Sequence, residues 1–134
     1  MEDRCVIILN HTLPSGKAAN AAAVMALTLG QRYPHFVGEP LCDAQGRAFP
    51  GLITSGVPVL AASDEQLAAL YARCEEQQLD RILFPAAGQQ TTDYAALTAV
   101  VSETEATRWP LCGMAVVAEK KALRKLTAAL TLFA

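Results

Sequence analysis

The stretch "RCVIILNHTLPSGKAANAAAVMALTLG", Arg4 to Gly30, decides the fold class. Its opening "RCVIIL" is a continuous β-branched and apolar run, which reads as a strand covered on both faces. Pro14 and Ser15 then start a helix, with Ser15 placed to cap the free N–H groups of the first turn. The helix runs to about Arg32, because the residue ahead of a proline (Tyr33-Pro34) is pushed out of the helical region.

The same alternation continues outward from this stretch. Phe36 to Leu52 carries polar turn residues between apolar flanks and reads as a hairpin or extended loop. "VPVLAA", Val57 to Ala62, is a second main strand, and Pro58 places it at a sheet edge or at the strand's start. "SDEQLAALYARCEEQQ" is the clearest helix: Ser63 and Gln66 form a capping box, and Leu67, Leu70, Tyr71 and Cys74 make a buried stripe. Asp80 to Pro85 is a third strand, followed by a polar loop and a helix in "DYAALTAVVSET". "PLCGMAVVAE" is a fourth strand, and "KKALRKLTAAL" a short basic helix. The expected architecture is a three-layer α/β/α sandwich on a mixed, mostly parallel sheet of about four main strands, with a hairpin insert.

Composition narrows the class. The chain has 134 residues, 52% apolar and 18% charged, which fits one globular domain over residues 1–134. A net charge of -2 gives no global attraction to nucleic acid, so any basic footprint must be local. The N-terminal apolar run and the Ala18–Leu29 run are too short for a membrane span, and a cytoplasmic location is expected. Cys5, Cys42, Cys74 and Cys112 are scattered, without C-x-x-C spacing, and each reads as a small core residue. No His/Cys/Asp grouping has metal-ligand spacing, so no metal and no cofactor is expected.

Ser15-Gly16-Lys17 invites comparison with a phosphate loop. That motif needs glycine five residues before the Gly-Lys pair and Ser or Thr after it; His11 and Ala18 occupy those places. A weaker reading survives, in which the N–H groups around Gly16 to Ala18 hold an anion. Asn20 is the sharper feature. It is an amide on an otherwise apolar helix, sharing a face with Val24 and Leu27, and needs a hydrogen-bond partner.

A second polar cluster, Gln89, Gln90, Thr91, Thr92 and Asp93, follows the third strand. In an open α/β sheet, ligands bind outside the carboxyl ends of parallel strands. Asn10, His11 and Ser15 would lie at that same edge if the first and third strands are parallel. The plainer reading of the cluster is a helix start, with Thr92 or Asp93 as cap. Lys120, Lys121, Arg124 and Lys125 form a local cationic cluster, either a solvated face or a phosphate or RNA contact.

These segments together, "CVIILNHTLPSGKAANAAAVMALTLG", Pro50 to Leu52, "VPVLAAS", "QQTTDYAAL" and "KALRKLT", resemble the bacterial domain-of-unknown-function family 2000 over nearly the whole chain. The resemblance implies a fold like that of type 2 peptidyl-tRNA hydrolases and no established activity. Those hydrolases carry a lysine shortly before Ala-Ala-Gln on the first helix, and a histidine three residues later. Ala18 to Asn20 look like that triplet, with Asn20 for the glutamine and Ala23 at the histidine position; Lys17 is out of register by one. Their Asp-Ala-Gly-Arg-Thr-Gln corresponds to Ala86–Thr91, where only Ala87 and Gly88 match and Ala86 replaces the aspartate.

The leading expectation is therefore a cleft in which Asn10, His11, Ser15, Lys17 and Asn20 face Gln89 to Asp93 and hold a small anionic molecule. One alternative is a hydrolase acting on peptidyl-tRNA, gripped by Lys17 and the Lys120–Lys125 helix. Another is a non-catalytic homodimer using the hairpin or the strand near Pro58.

Overall fold

The computed structural model describes residues 2–134. Strand β1 (Asp3–Asn10) has its last six residues buried, as its unbroken apolar run requires. Its side chains alternate between two cores. Cys5, Ile7 and Leu9 pack under Ala18, Ala21, Met25 and Leu29 of α1 (Ser15–Arg32). On the opposite face, Val6 and Ile8 meet Leu67, Leu70 and Cys74 of α2 (Asp64–Gln77). Leu123 and Leu126 of α4 (Lys120–Leu126) complete that second core. Helices therefore cover both faces of the sheet, and each fully buried aliphatic side chain between them contributes about 1.5–3 kcal/mol.

Between these elements lie β2 (Leu41–Cys42), β3 (Ala48–Phe49), β4 (Val59–Ala62) and β5 (Asp80–Pro85). Helix α3 (Tyr94–Val101), β6 (Leu111–Glu119) and β7 (Thr131–Leu132) follow. The main sheet has five strands in the order β5-β6-β1-β4-β7, not about four. The extra strand is β7, two residues that pair with Leu60 and Ala61. The sheet is also not mostly parallel: β1–β4 is the one parallel pair, and β1–β6, β5–β6 and β4–β7 are antiparallel. Burial on both faces of a strand reports that layers cover it, not which way its neighbours run. Pro58 does not mark an edge strand, since β4 lies between β1 and β7; it stands just ahead of the strand, where its missing N–H costs no ladder bond.

The hairpin insert is present as β2–β3, with Leu41 opposite Phe49. Asp43 closes its turn by accepting the backbone N–H groups of Gln45 and Arg47, both at 2.9 Å. Cys5, Cys74 and Cys112 are core residues, and burial pushes each thiol up from its ordinary value. Cys42 departs from that expectation: it is exposed, because no layer covers β2. Helix α2 starts with both bonds of the Ser63–Gln66 capping box, at 3.1 and 2.9 Å.

Arg32 and Tyr33, at the end of α1, both bond the Asp80 carboxylate at the start of β5, with the Arg32 Nη2 contact at 2.7 Å. Partial burial and the bond to Asp80 push the Tyr33 phenol up to about 12. A raised folded-state value means that this contribution is complete below the unfolded tyrosine value of about 10 and is lost as pH rises through about 12. Absorbance titration should find one of the three tyrosines ionising last, in step with unfolding, and Asp80→Asn should lower its midpoint. An unchanged midpoint in that variant would refute the assignment.

Candidate functional site

The predicted residues are divided between the two sides of the sheet. Asn10 ends β1 on an even position, so its side chain enters the α2 core and not the α1 side. There it is 7% exposed and fully engaged. Its Nδ2 donates to Asp64 Oδ1 at 2.6 Å and to the Leu111 carbonyl at 3.3 Å. Its Oδ1 accepts from Thr12 N at 3.1 Å and Thr12 Oγ1 at 2.7 Å. His11 follows in an exposed turn, its N–H bonded to the Ala62 carbonyl at 2.9 Å, beside Ser63, Gln66 and Thr131. Neither residue faces Gln89.

On the α1 side, three predicted residues do converge. Gln89 lies in a 3-10 turn, Ala86–Gln89, that directly follows β5. Its Nε2 donates to the Lys17 carbonyl at 2.8 Å and to Asn20 Oδ1 at 3.1 Å. Asn20 is thus the partner that pins this loop, on the exposed side of α1 together with Val24 and Leu27. Gly88 lets this turn fold back on β5, since an added Cβ would strike the ring of Phe84, with Cδ1 at 3.0 Å.

The start of α1 differs from the expected capping. Pro14 occupies the cap position in an extended conformation, and Ser15, already inside the helix, makes no capping bond. No side chain caps the helix, and no acid lies in its first turn. Such an end presents backbone N–H groups with partial positive charge. Lys17 adds a full charge, felt by the Cys112 thiol, although burial dominates there and raises the thiol's pKa.

The placement of Cys112 comes from a register shift between β5 and β6. Phe84 pairs with Gly113 and Pro85 with Leu111, leaving Cys112 as the extra residue of a bulge. The shift turns Cys112 toward the α1 core, with Ala115 and Val117, while Leu111 and Met114 face α2.

The remaining loop residues serve the next helix. Thr91 Oγ1 accepts the Asp93 N–H at 3.0 Å, and Asp93 Oδ1 caps α3 by accepting from Ala95 and Ala96 at 3.0 and 3.3 Å. Gln90 and Thr92 are exposed. Among the described residues this edge brings no nucleophile and base into hydrogen-bond contact.

Of the cavities that lie elsewhere, sequence reasoning missed the two described next. One, of about 630 Å³, runs between α2 and Ala106–Leu111. Three of its polar wall groups have partners: Asp64 with Asn10, Glu75 with Arg81, and the Trp109 Nε1–H with the Val101 and Thr104 carbonyls. The other, of about 330 Å³, lies between β1, β4 and α4 and is lined by Arg4, Lys120 and Arg124. The like-charge spacing of Lys120 and Arg124 was visible in the sequence. The addition of Arg4 depends on pairing between β1 and β6.

Among the described residues no group of three or more His, Cys, Asp or Glu could hold a metal ion, and no helix is long and apolar enough to cross a membrane. Residues 3–134 match the family model described as "Protein of unknown function (DUF2000)". A solved structure of a protein of unknown function from Agrobacterium tumefaciens strain C58 superposes with a TM-score of 0.90 at 24% identity, covering 100% of this chain and 99% of that one. No curated protein matches.

Proposed function

We propose, on the premise that the chain belongs to the DUF2000 family of proteins of unknown function, that the junction of α1 with the Ala86–Gln89 turn binds a small anionic molecule. The observation that carries this reading is the double bond of Gln89 to Lys17 and Asn20. It joins segments 72 and 69 residues apart beside a helix start with no side-chain cap. Oriented N–H groups, a lysine and the Asn20 Nδ2, held in place by the bond its Oδ1 accepts from Gln89, are the donor set that recognises a carboxylate or phosphate. The type 2 peptidyl-tRNA hydrolase-like architecture belongs to the same proposal. Its support is the cover of helices on both sheet faces and the meeting of the two segments that carry the resemblance.

A thermal-shift screen of phosphate- and carboxylate-bearing metabolites tests this. Lys17→Gln and Gln89→Ala should each leave the unliganded protein within about 1 kcal/mol of wild type, because Lys17 contributes only its backbone carbonyl and the bonds lost at Gln89 are exposed. Both should abolish the shift given by a true ligand. Ligands that stabilise wild type and both variants equally would place the site elsewhere. The unpaired cations of α4 favour a second reading, hydrolysis of peptidyl-tRNA; failure to cleave a model substrate at low salt, where binding is strongest, would reject it.

A further inference from the structure

We propose that the cavity between β1, β4 and α4 is a second binding site, for a small organic anion with an apolar body. Its volume of about 330 Å³ lies at the lower end of the roughly 300–1,000 Å³ typical of small-ligand sites. The walls divide by chemistry. Val6 and Leu123 are buried and Leu60 and Leu130 half-buried, giving an apolar floor. Arg4, Lys120 and Arg124 also line the cavity, and no carboxylate does.

The cations of α4 are crowded on a short helix. Lys120 and Lys121 open the helix, at the end where its dipole is positive and cations are unfavourable. Lys120 with Arg124, and Lys121 with Lys125, are like-charge pairs at i,i+4, which repel. None of the four forms an ion pair among the described residues. Among the described residues Arg4 pairs with Glu2 alone, at 3.3 Å. Asp3 and Glu119, opposite each other at this end of the sheet, are the nearest acids in the strand register, and neither lines the cavity. A bound anion would relieve the repulsion between Lys120 and Arg124, while its apolar part displaces water from Val6, Leu60 and Leu123. Both gains are absent for a cation and incomplete for a bare inorganic ion.

The site is independent of the one at α1. Arg4 lies near the start of β1 and α1 follows the strand's end, about 20 Å away, so substitutions at the two sites should not couple.

Calorimetric titration of the intact chain with hexyl phosphate, hexanoate, inorganic phosphate and hexylamine tests the proposal. Hexyl phosphate and hexanoate should saturate wild type at low salt, with affinity falling as salt rises. Inorganic phosphate should bind more weakly than hexyl phosphate, and hexylamine should not bind. In Lys120→Gln/Arg124→Gln the affinity for both organic anions should fall at least tenfold, while Arg47→Gln, in the exposed hairpin turn, leaves it unchanged. The double variant without ligand should melt no lower than wild type, because it removes a repulsion; a merely structural role for these residues would lower its melting point. Leu130→Glu, which places a carboxylate in the lining without altering α4, should also weaken both anions. Equal affinity in wild type and both of these variants, no saturation by either organic anion, or inorganic phosphate binding as tightly as hexyl phosphate would each overturn the proposal.

Discussion

Replacing Asn10 by alanine should cost about 3 kcal/mol of folding stability and lower the melting temperature by roughly 10 °C. The side chain is buried and makes four hydrogen bonds, one of them to a carboxylate at 2.6 Å. Alanine removes all four and leaves the Leu111 carbonyl without this donor. The damage should extend beyond the residue, since Asn10 ties the end of β1 to α2, to β6 and to the turn at Thr12. Asn10→Asp should be worse at neutral pH. It sets a buried carboxylate against Asp64, and repulsion with burial raises the new group's folded-state pKa above its unfolded value. With a raised carboxylate pKa, the folded state holds more protons, so stability falls as pH rises from about 4 to about 7. Urea unfolding at both pH values checks this. An alanine variant within about 1 kcal/mol of wild type would mean that the network does not hold this end of the sheet.

Gly113→Val should be the most damaging change to the sheet itself, costing about 3 kcal/mol or more. Gly113 lies in β6, between β5 and β1, at the bulge that sets the direction of Cys112. A Cβ there would press on the Ile8 carbonyl oxygen, with Leu9 Cδ2 at 3.1 Å and Leu9 Cα at 3.2 Å. Those obstacles include backbone in the middle of the sheet, which cannot swing aside as a side chain can. Gly30→Ala is the control. It lies in α1 with nothing within 4 Å of the added Cβ, and should stabilise by about 0.5–1 kcal/mol. If the Gly113 variant unfolds at the same urea concentration as wild type, the inferred close packing of β6 on β1 is wrong.

Much of the candidate site could be read from Asn20 and Gln89, though only as unpaired requirements. An amide on the apolar helix needed a partner, and a glutamine-rich loop followed a strand; their meeting depended on where β5 sits. Asn10 shows the limit more clearly. The sequence puts it beside His11 and Ser15, but a strand's two-residue period sends it to the opposite face from α1. Ser15 shows a different limit. The choice between cap and first helical residue depends on the Pro14 backbone conformation, and Pro14 took the cap position. Asp93 and Thr91 had two readings, and the helix start accounts for the bonds they make.

By itself, the sequence determined the double cover of β1, the long α1, the capping box of α2 and the hairpin. Those features come from short-range causes: side-chain period, a cap three residues from its partner, a turn closed by one aspartate. Tertiary structure alone decided the direction of β6, the internal position of β4, the bulge at Cys112 and the gathering of Arg4 with Lys120 and Arg124. Choosing a strand's neighbour is a contact between distant segments, selected by how much apolar surface the whole sheet can bury. Nothing local to either segment records that choice.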